Sequence, residues 1–331
     1  MGFWKLSPDE EERKRLTDIA RQSELERQQL DLSHLESGGI PTLAHKRLLE
    51  LGKGSSDADY LFTSDLAPDE MALLRKNGYK ARGLVMGSAM YHVGQLFVSA
   101  ASDCEIQNLS DAYNQASKLA VERMRKELHL IGAHGVLGVR MEIVRHEWAE
   151  KTIEVQIMGT AVEAKTAPPP AKAWLSDLSA QEWFALTRAG FEPVGLVWGH
   201  CAWWLYTSYL DDMNERSWSN IEMTHWSEGL SNARHLALNK VKSQTKALGG
   251  SGVVGVNIQR RMDRMRLLGG NNAAANERLH HNILLSIVGT AVRASGRESH
   301  SVPQTTMVLS LRDGRLKPLV VKQSMDFKVT D

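Results

Sequence analysis

The run GGSGVVG from Gly249 contains the spacing GxGxxG at Gly250, Gly252 and Gly255, a pattern that in dinucleotide sites cradles a pyrophosphate at a helix N-terminus. That chemistry needs the order strand, glycine loop, helix. Here the apolar spacing before Gly249 is helical and the run after it is β-rich, so a phosphate would meet the negative end of a helix dipole. The glycines are therefore expected to be structural. Gly249 stops a helix, while Gly255, like Gly138 in the related run GAHGVLGV, allows close backbone approach. Metal chemistry is the next possibility, with Cys104, His200 and Cys201 as weak candidates, since soft ions select thiolate and imidazole. His200 and Cys201 are adjacent and on a strand would face opposite sides, which makes sharing one ion difficult. Their counterparts elsewhere in the chain, Ser88 and Ala89, are not ligands. No metal or other cofactor is expected.

Catalytic spacing is absent. The sequence contains no GxSxG, HExxH or P-loop, and Asp211-Asp212 and Glu10-Glu11-Glu12 read as charged loops or helix caps. His280-His281 reads as a solvated hairpin arm. Arg260, Arg261, Arg264 and Arg266 also suit a solvated hairpin tip, or an anion-binding rim if symmetry multiplied them. Trp183, Trp198, Trp203, Trp204, Trp218 and Trp226 crowd the second half of the chain, whereas Trp148 stands alone in the corresponding part of the first. Subunit anchoring is the favoured reading of these rings and a ligand pocket the alternative. The chain is expected not to be an enzyme.

The elements that must position these residues come in duplicate. SDLAPDEMALLRKNGYKARGLVMG from Ser64 and SDLSAQEWFALTRAGFEPVGLVWG from Ser176 share ten of 24 positions without a gap. GAHGVLGV (132–139) then matches GGSGVVGV (249–256), and IMGTAV (157–162) matches IVGTAV (287–292), in the same order. Two copies of one domain are expected. In each, a short helix is expected over 65–77, with Ser64 as N-cap, before a strand over 83–91. A long helix follows over 111–131, then strands over 136–144 and 153–162. The second copy repeats this with a helix over 228–248, a strand from Val253 and a closing strand over 283–292. It also carries insertions at 199–222 and at the hairpin tip. Each unit is β-α-β-β.

Ahead of the copies lies a charged arm, with Ser7 as N-cap and Pro8 at the first turn of a helix reaching Glu36, then a second helix over 41–51. A solvated arm is the plainer expectation and a docking helix the sharper one. The three prolines in KTAPPPAKA favour a semi-rigid spacer between copies. At the far end Asp313-Gly314 signals a two-residue hairpin within 307–321, with Pro318 confining its second strand to an edge. The expected organisation is thus a helical arm (1–57), a first domain (58–166), a linker (167–173), a second domain (174–296) and a hairpin tail (297–331).

Composition sets the outer bounds. Of 331 residues, 42% are hydrophobic and 24% charged, and 40 Lys and Arg against 39 Asp and Glu leave a net charge of +1. That balance argues against a nucleic-acid partner. No apolar run approaches the roughly 18 residues that span a bilayer, and the start MGFWKLSPDEEERKR has no apolar core for a secretory signal. Two distant cysteines make no disulfide framework and fit a reducing, cytoplasmic setting.

The junctions LGGSGVVGVNI with SIVGTAV, and IGAHGVLGVRMEI with QIMGTAV, resemble the YbjQ-like family, which carries the description of heavy-metal binding. The resemblance covers roughly 80–165 and 190–295. It implies a dodecin-like β-α-β-β subunit that assembles through its sheet into β-barrel rings, typically pentameric. The expected fold class is α+β, two tandem YbjQ-like domains in an oligomeric ring with an N-terminal helical arm and a C-terminal hairpin. The expected function is a non-catalytic homo-oligomeric scaffold, with the N-terminal helices available to a protein partner. A heavy-metal or small-ligand binder whose site the ring builds is the alternative. A small unit with two open sheet edges has its own physical reason to assemble.

Overall fold

The computed structural model describes residues 8–53, 63–96, 98, 102–145, 152–166, 168, 170, 173–266, 279–296, 307–309 and 316–318. The chain is α+β, with two four-stranded sheets, each carrying a long helix. Helix α1 (Pro8–Glu36) leaves its apolar stripe, including Leu16 and Ile19, exposed. Helix α2 (Thr42–Lys53) is docked rather than solvated: Leu48 is fully buried, and Arg47 donates to the carbonyl of Leu84 at 3.0 Å. Asp31 accepts the Thr42 amide at 2.6 Å and ties the two helices together. The proposed cap Ser7 lies outside the described residues.

Helix α3 (Pro68–Lys76) leads into β1 (Tyr79–His92), the two-residue strand β2 (Cys104–Glu105), α4 (Gln107–Ile131), β3 (Gly135–Arg145) and β4 (Thr152–Ala164). The short helix starts later than its sequence suggests, and Ala67 holds the N-cap position expected for Ser64. Ser64 is otherwise engaged: its hydroxyl lies 3.2 Å from that of Thr160 and accepts the Leu66 amide at 3.1 Å. This local turn outcompetes capping because it also satisfies the Thr160 hydroxyl on β4, which accepts the Asp65 amide at 3.0 Å.

The second half repeats the plan: β5 (Trp174–Leu175), α5 (Ala180–Arg188), β6 (Phe191–Leu205), α6 (Tyr209–Glu215), α7 (Thr224–Ala247), β7 (Gly252–Arg266) and β8 (Leu279–Ala294). Ser176 stands 3.0 Å from the hydroxyl of Thr290, which accepts the Asp177 amide at 3.0 Å. The helix-on-strand contacts correspond as well. A Cβ on Gly87 would lie 2.1 Å from the carbonyl oxygen of Ala120, and one on Gly199 would lie 2.2 Å from that of Ala237. Small residues at one helical face, Ala116 and Ala120 on α4 and Ala233 and Ala237 on α7, let each helix lie directly on its strand.

Close approach, expected at both Gly138 and Gly255, holds at Gly255 alone, and both glycines meet a further requirement. They take φ of 63° and 65° at bulges where β3 and β7 slip register against β4 and β8. A Cβ on Gly138 would meet nothing within 4 Å, so left-handed backbone is the requirement there. At Gly255 a Cβ would also strike Asp177 and Leu178 at 2.9 Å.

The sheets run in the orders β1-β4-β3-β5 and β2-β6-β8-β7, so each takes a short strand from the other half of the chain. Residues 174–178 leave the proline segment as a strand along β3. Ser176 donates to Val136 at 3.0 Å, and the Val139 and Gly138 amides return bonds to Ser176 and Leu178 at 2.9 Å. Strand β2 pairs antiparallel with the far end of β6, and Ile106 donates to Ala202 at 2.8 Å. Helix α4 covers one face of β6, in a core with Leu196, Trp198, Ala202 and Trp204; α7 covers the other, around Val197 and Cys201. Strands β9 (Met307–Leu309) and β10 (Leu316–Pro318) pair antiparallel, with the Asp313-Gly314 turn outside the described residues.

Gly199→Ala should destabilise the fold by about 2 kcal/mol or more, because the new methyl meets backbone rather than a movable side chain. Denaturant midpoints with unchanged slope would check this. Parity with the unsubstituted chain would contradict the packing described here.

Candidate functional site

The residues singled out for chemistry gather where the two halves meet. His200 sits on β6 facing α4, fully buried, with its Nε2 2.8 Å from the Ser117 hydroxyl. Its Nδ1 is buried without a hydrogen-bond partner among the described residues. Burial, reinforced by the nearby charge of Lys240, pushes the imidazole pKa down to about 3, so the ring is neutral. Asn114 clamps the same residue, donating to the His200 carbonyl at 2.9 Å and accepting its amide at 3.2 Å. Cys201 points the other way, into the apolar cluster with Ala233 and Ala237. Burial, followed by the charge of Glu105, pushes its thiol up to about 12. Cys104 is half-buried on β2, opposite Trp204 in the ladder.

These donors do not suit a resident metal. His200 and Cys201 occupy opposite faces of one strand, the imidazole's Nε2 is engaged by Ser117, and the thiol strongly resists ionisation. Among the described residues no three His, Cys, Asp or Glu side chains converge as a ligand set. The neighbouring charges instead fasten the halves together: Lys240 on α7 bridges Glu105 at 2.7 Å and the His200 carbonyl at 3.0 Å.

Two further clusters carried no motif. His225 lies between two carboxylates, Asp211 at Nδ1 (2.8 Å) and Asp103 at Nε2 (3.1 Å), joining the segment before β2 to the insertion after β6. Burial would lower its pKa most, yet the hydrogen bond to Asp211 and the two carboxylate charges together outweigh it, and the net shift is upward. The second cluster surrounds a cavity of about 380 Å³ between the sheets, lined by Arg140, Glu142, Asp177, Glu182, Gln259 and Ser286 among others. Burial raises the Asp177 carboxyl to about 6, against the opposing hydrogen bond from Thr290.

His280 and His281 correct the solvated reading: both are buried. β6 runs on to Leu205 and pairs with β8 as far as His281, and the inserted segment closes over them. Thr207 donates its amide to His280 Nδ1 at 3.0 Å, and the Trp226 ring lies 4.5 Å from that of His281. Of the tryptophans, Trp198 and Trp204 are buried against α4 between the halves, while Trp218 is fully exposed. Arg261 and Arg264 are exposed and paired with Asp263 and Glu215.

A family model described as "putative heavy-metal-binding" matches residues 79–165. An encapsulin nanocompartment protein of Mycobacterium tuberculosis is 33% identical over 229 residues, 68% of this chain and 85% of that protein. A UPF0145 protein of Helicobacter hepaticus is 32% identical over 90 residues, 26% of this chain and 85% of that protein. No solved structure gives a significant match.

The native state holds the Asp177 proton more tightly than the unfolded chain does, so this group lowers stability as pH rises from about 4 to about 6. The penalty is absent below that window and complete above it, on the order of 2 kcal/mol. Asp177→Asn should flatten the dependence in thermal melts across that window. An unchanged pH profile would contradict the assignment.

Proposed function

The chain belongs to the YbjQ-like family, and from that premise we propose that it is a non-catalytic, self-assembling scaffold protein of the cytoplasm. It is built from two tandem YbjQ-like domains with the boundaries given above, and it assembles as a homo-oligomeric ring, a pentamer of chains or a multiple of it. The observation that carries this reading is the edge strand β7, unpaired on its outer side among the described residues, along which Val256, Ile258 and Met262 are exposed. A long edge with apolar side chains is a template for pairing unless a partner covers it.

Several observations support the finer parts. The Helicobacter relative is matched over 90 residues that make up most of it, so one unit of this chain corresponds to nearly a whole protein there. The Mycobacterium relative is named an encapsulin nanocompartment protein. The correspondence of the Gly87 and Gly199 contacts supports the duplication. No helix among the described residues is long and apolar enough to cross a membrane, and both cysteines are free. The exposed stripe of α1 supports a docking role for the arm. A second reading, a small-ligand binder, is favoured by the inter-sheet cavity and its polar lining.

Native mass spectrometry of the purified chain should give a discrete multiple of 36.9 kDa with no additional bound mass. A monomer at micromolar concentration would contradict the scaffold, and a stoichiometric organic ligand would favour the second reading.

A further inference from the structure

The two halves meet through different surfaces. Apart from the packing of α3 on α5, the first half contributes β3, β2 and α4, and the second contributes residues 174–178 and β6. The repeat that sets Ser64 against Ser176, and Gly132 against Gly249, assigns a counterpart to every part of this contact. The counterparts of the first half's surface are β7, Ile221-Glu222 and α7. Those of the second half's surface are Ser64 to Leu66 and the far end of β1. Among the described residues no strand pairing joins one set to the other, although Leu66 and Val254 pack into the same apolar cluster.

Burial separates most of the counterparts, although Leu66 is buried like Leu178. Val139 and Met141 on β3 are 3% and 8% exposed, whereas Val256 and Ile258 on β7 are 47% and 52% exposed. Ala202 on β6 is fully buried under α4, and Met90 on β1 is 55% exposed. Val121 on α4 is fully buried, while Leu238 on α7 is 43% exposed and Ile221 51%. Polar groups correspond too. Ser110 accepts the Ala202 amide at 2.9 Å, and its counterpart is also a serine, Ser227. Glu105 pairs with Lys240, and their counterparts Glu222 and Arg123 are again acid and base; Arg123 Nη1 donates to the Ser88 carbonyl at 2.5 Å, while its Nε is buried without a hydrogen-bond partner among the described residues. Helix α2 takes the Leu84 end of β1 through Arg47, and Ser88 and Met90 to His92 remain exposed beyond it.

We propose that these two open surfaces bind each other between copies of the chain, the second half of one docking on the first half of the next as the first half docks on the second within the chain. Ile221-Glu222 then adds as a strand to β1 of the next copy beside His92 and Tyr91, Glu222 pairs with that copy's Arg123, and Ser64 to Leu66 of that copy seal β7 at Gly255. The partner is a second copy of this chain. The units of a ring built this way alternate, so it holds twice as many units as chains, and a ring with an odd number of units cannot close. This rests on the assembly reading above and specifies its interface.

Disulfide trapping tests it. The bond from Ile106 to Ala202 makes those two the hydrogen-bonded pair, so Glu105 and Trp203 form the closer, non-hydrogen-bonded pair. Such pairs lie within reach of a disulfide. Their counterparts across the proposed interface are Glu222 and Tyr91. The full-length double variant Tyr91→Cys, Glu222→Cys should lose its monomer band on mild oxidation and form reducible multimers of 36.9 kDa. Either single variant and the unsubstituted chain should stay monomeric on the denaturing gel. If native mass shows an assembly but the double variant gives no intermolecular crosslink, or only an internal one, the proposed interface is wrong and the assembly reading survives. If the chain is monomeric, both fall.

Discussion

A strand edge exposes amides and carbonyls that must bond to something, and the layout of this chain follows from how few of its edges it can satisfy alone. Each half supplies three long strands and one long helix, too little to enclose a core by itself. Borrowing Trp174 to Leu178 gives β3 a partner and seals the Gly138 bulge; borrowing Cys104-Glu105 does the same for the end of β6. The two exchanges are reciprocal, each half lending a short strand to the other through a different surface. The chain joins one interface internally and leaves its two complementary surfaces open.

The halves tolerate this because their helix-on-strand contacts are stiff. Gly87 and Gly199 bring a carbonyl of α4 and of α7 against a strand with no room for a methyl group. Each helix is thereby fixed on its own sheet, and α4 can present its other side to β6 as a formed surface. His200, Asn114 and Ser117 are consumed in that surface. Their polarity serves register rather than chemistry: the imidazole is neutral, and each contact spans the two halves.

Much of this was legible in the sequence. The order of elements and the helix stops at Gly132 and Gly249 follow from local patterns, and the structure reproduces them within a few residues. The opposite facing of His200 and Cys201 needed only the two-residue period of a strand. What failed to show depended on distant partners. Ser64 has every feature of a helix cap, but Thr160, far along the chain, provides it with a better use. His280 and His281 look solvated because no local pattern reveals that β6 continues to Leu205 and that the inserted segment folds back over them. The His225 bridge joins Asp103 and Asp211 from separate segments, and Asp177 owes its raised pKa to burial among residues distant in the chain. The docking of α2 was likewise invisible, since its burial turns on Leu48 meeting a core supplied by other elements.

The central claim is that the internal interface is the pattern for the external one. Site-resolved hydrogen exchange on the native assembly tests this most directly, comparing the amides of Gly255 and Val256 with those of Gly138 and Val139. The latter pair donate to Leu178 and Ser176 within the chain. The account predicts strong protection of both pairs in the assembly, with Gly255 and Val256 alone losing it on dilution to the single chain. Rapid exchange at Gly255 and Val256 in an intact assembly would contradict it.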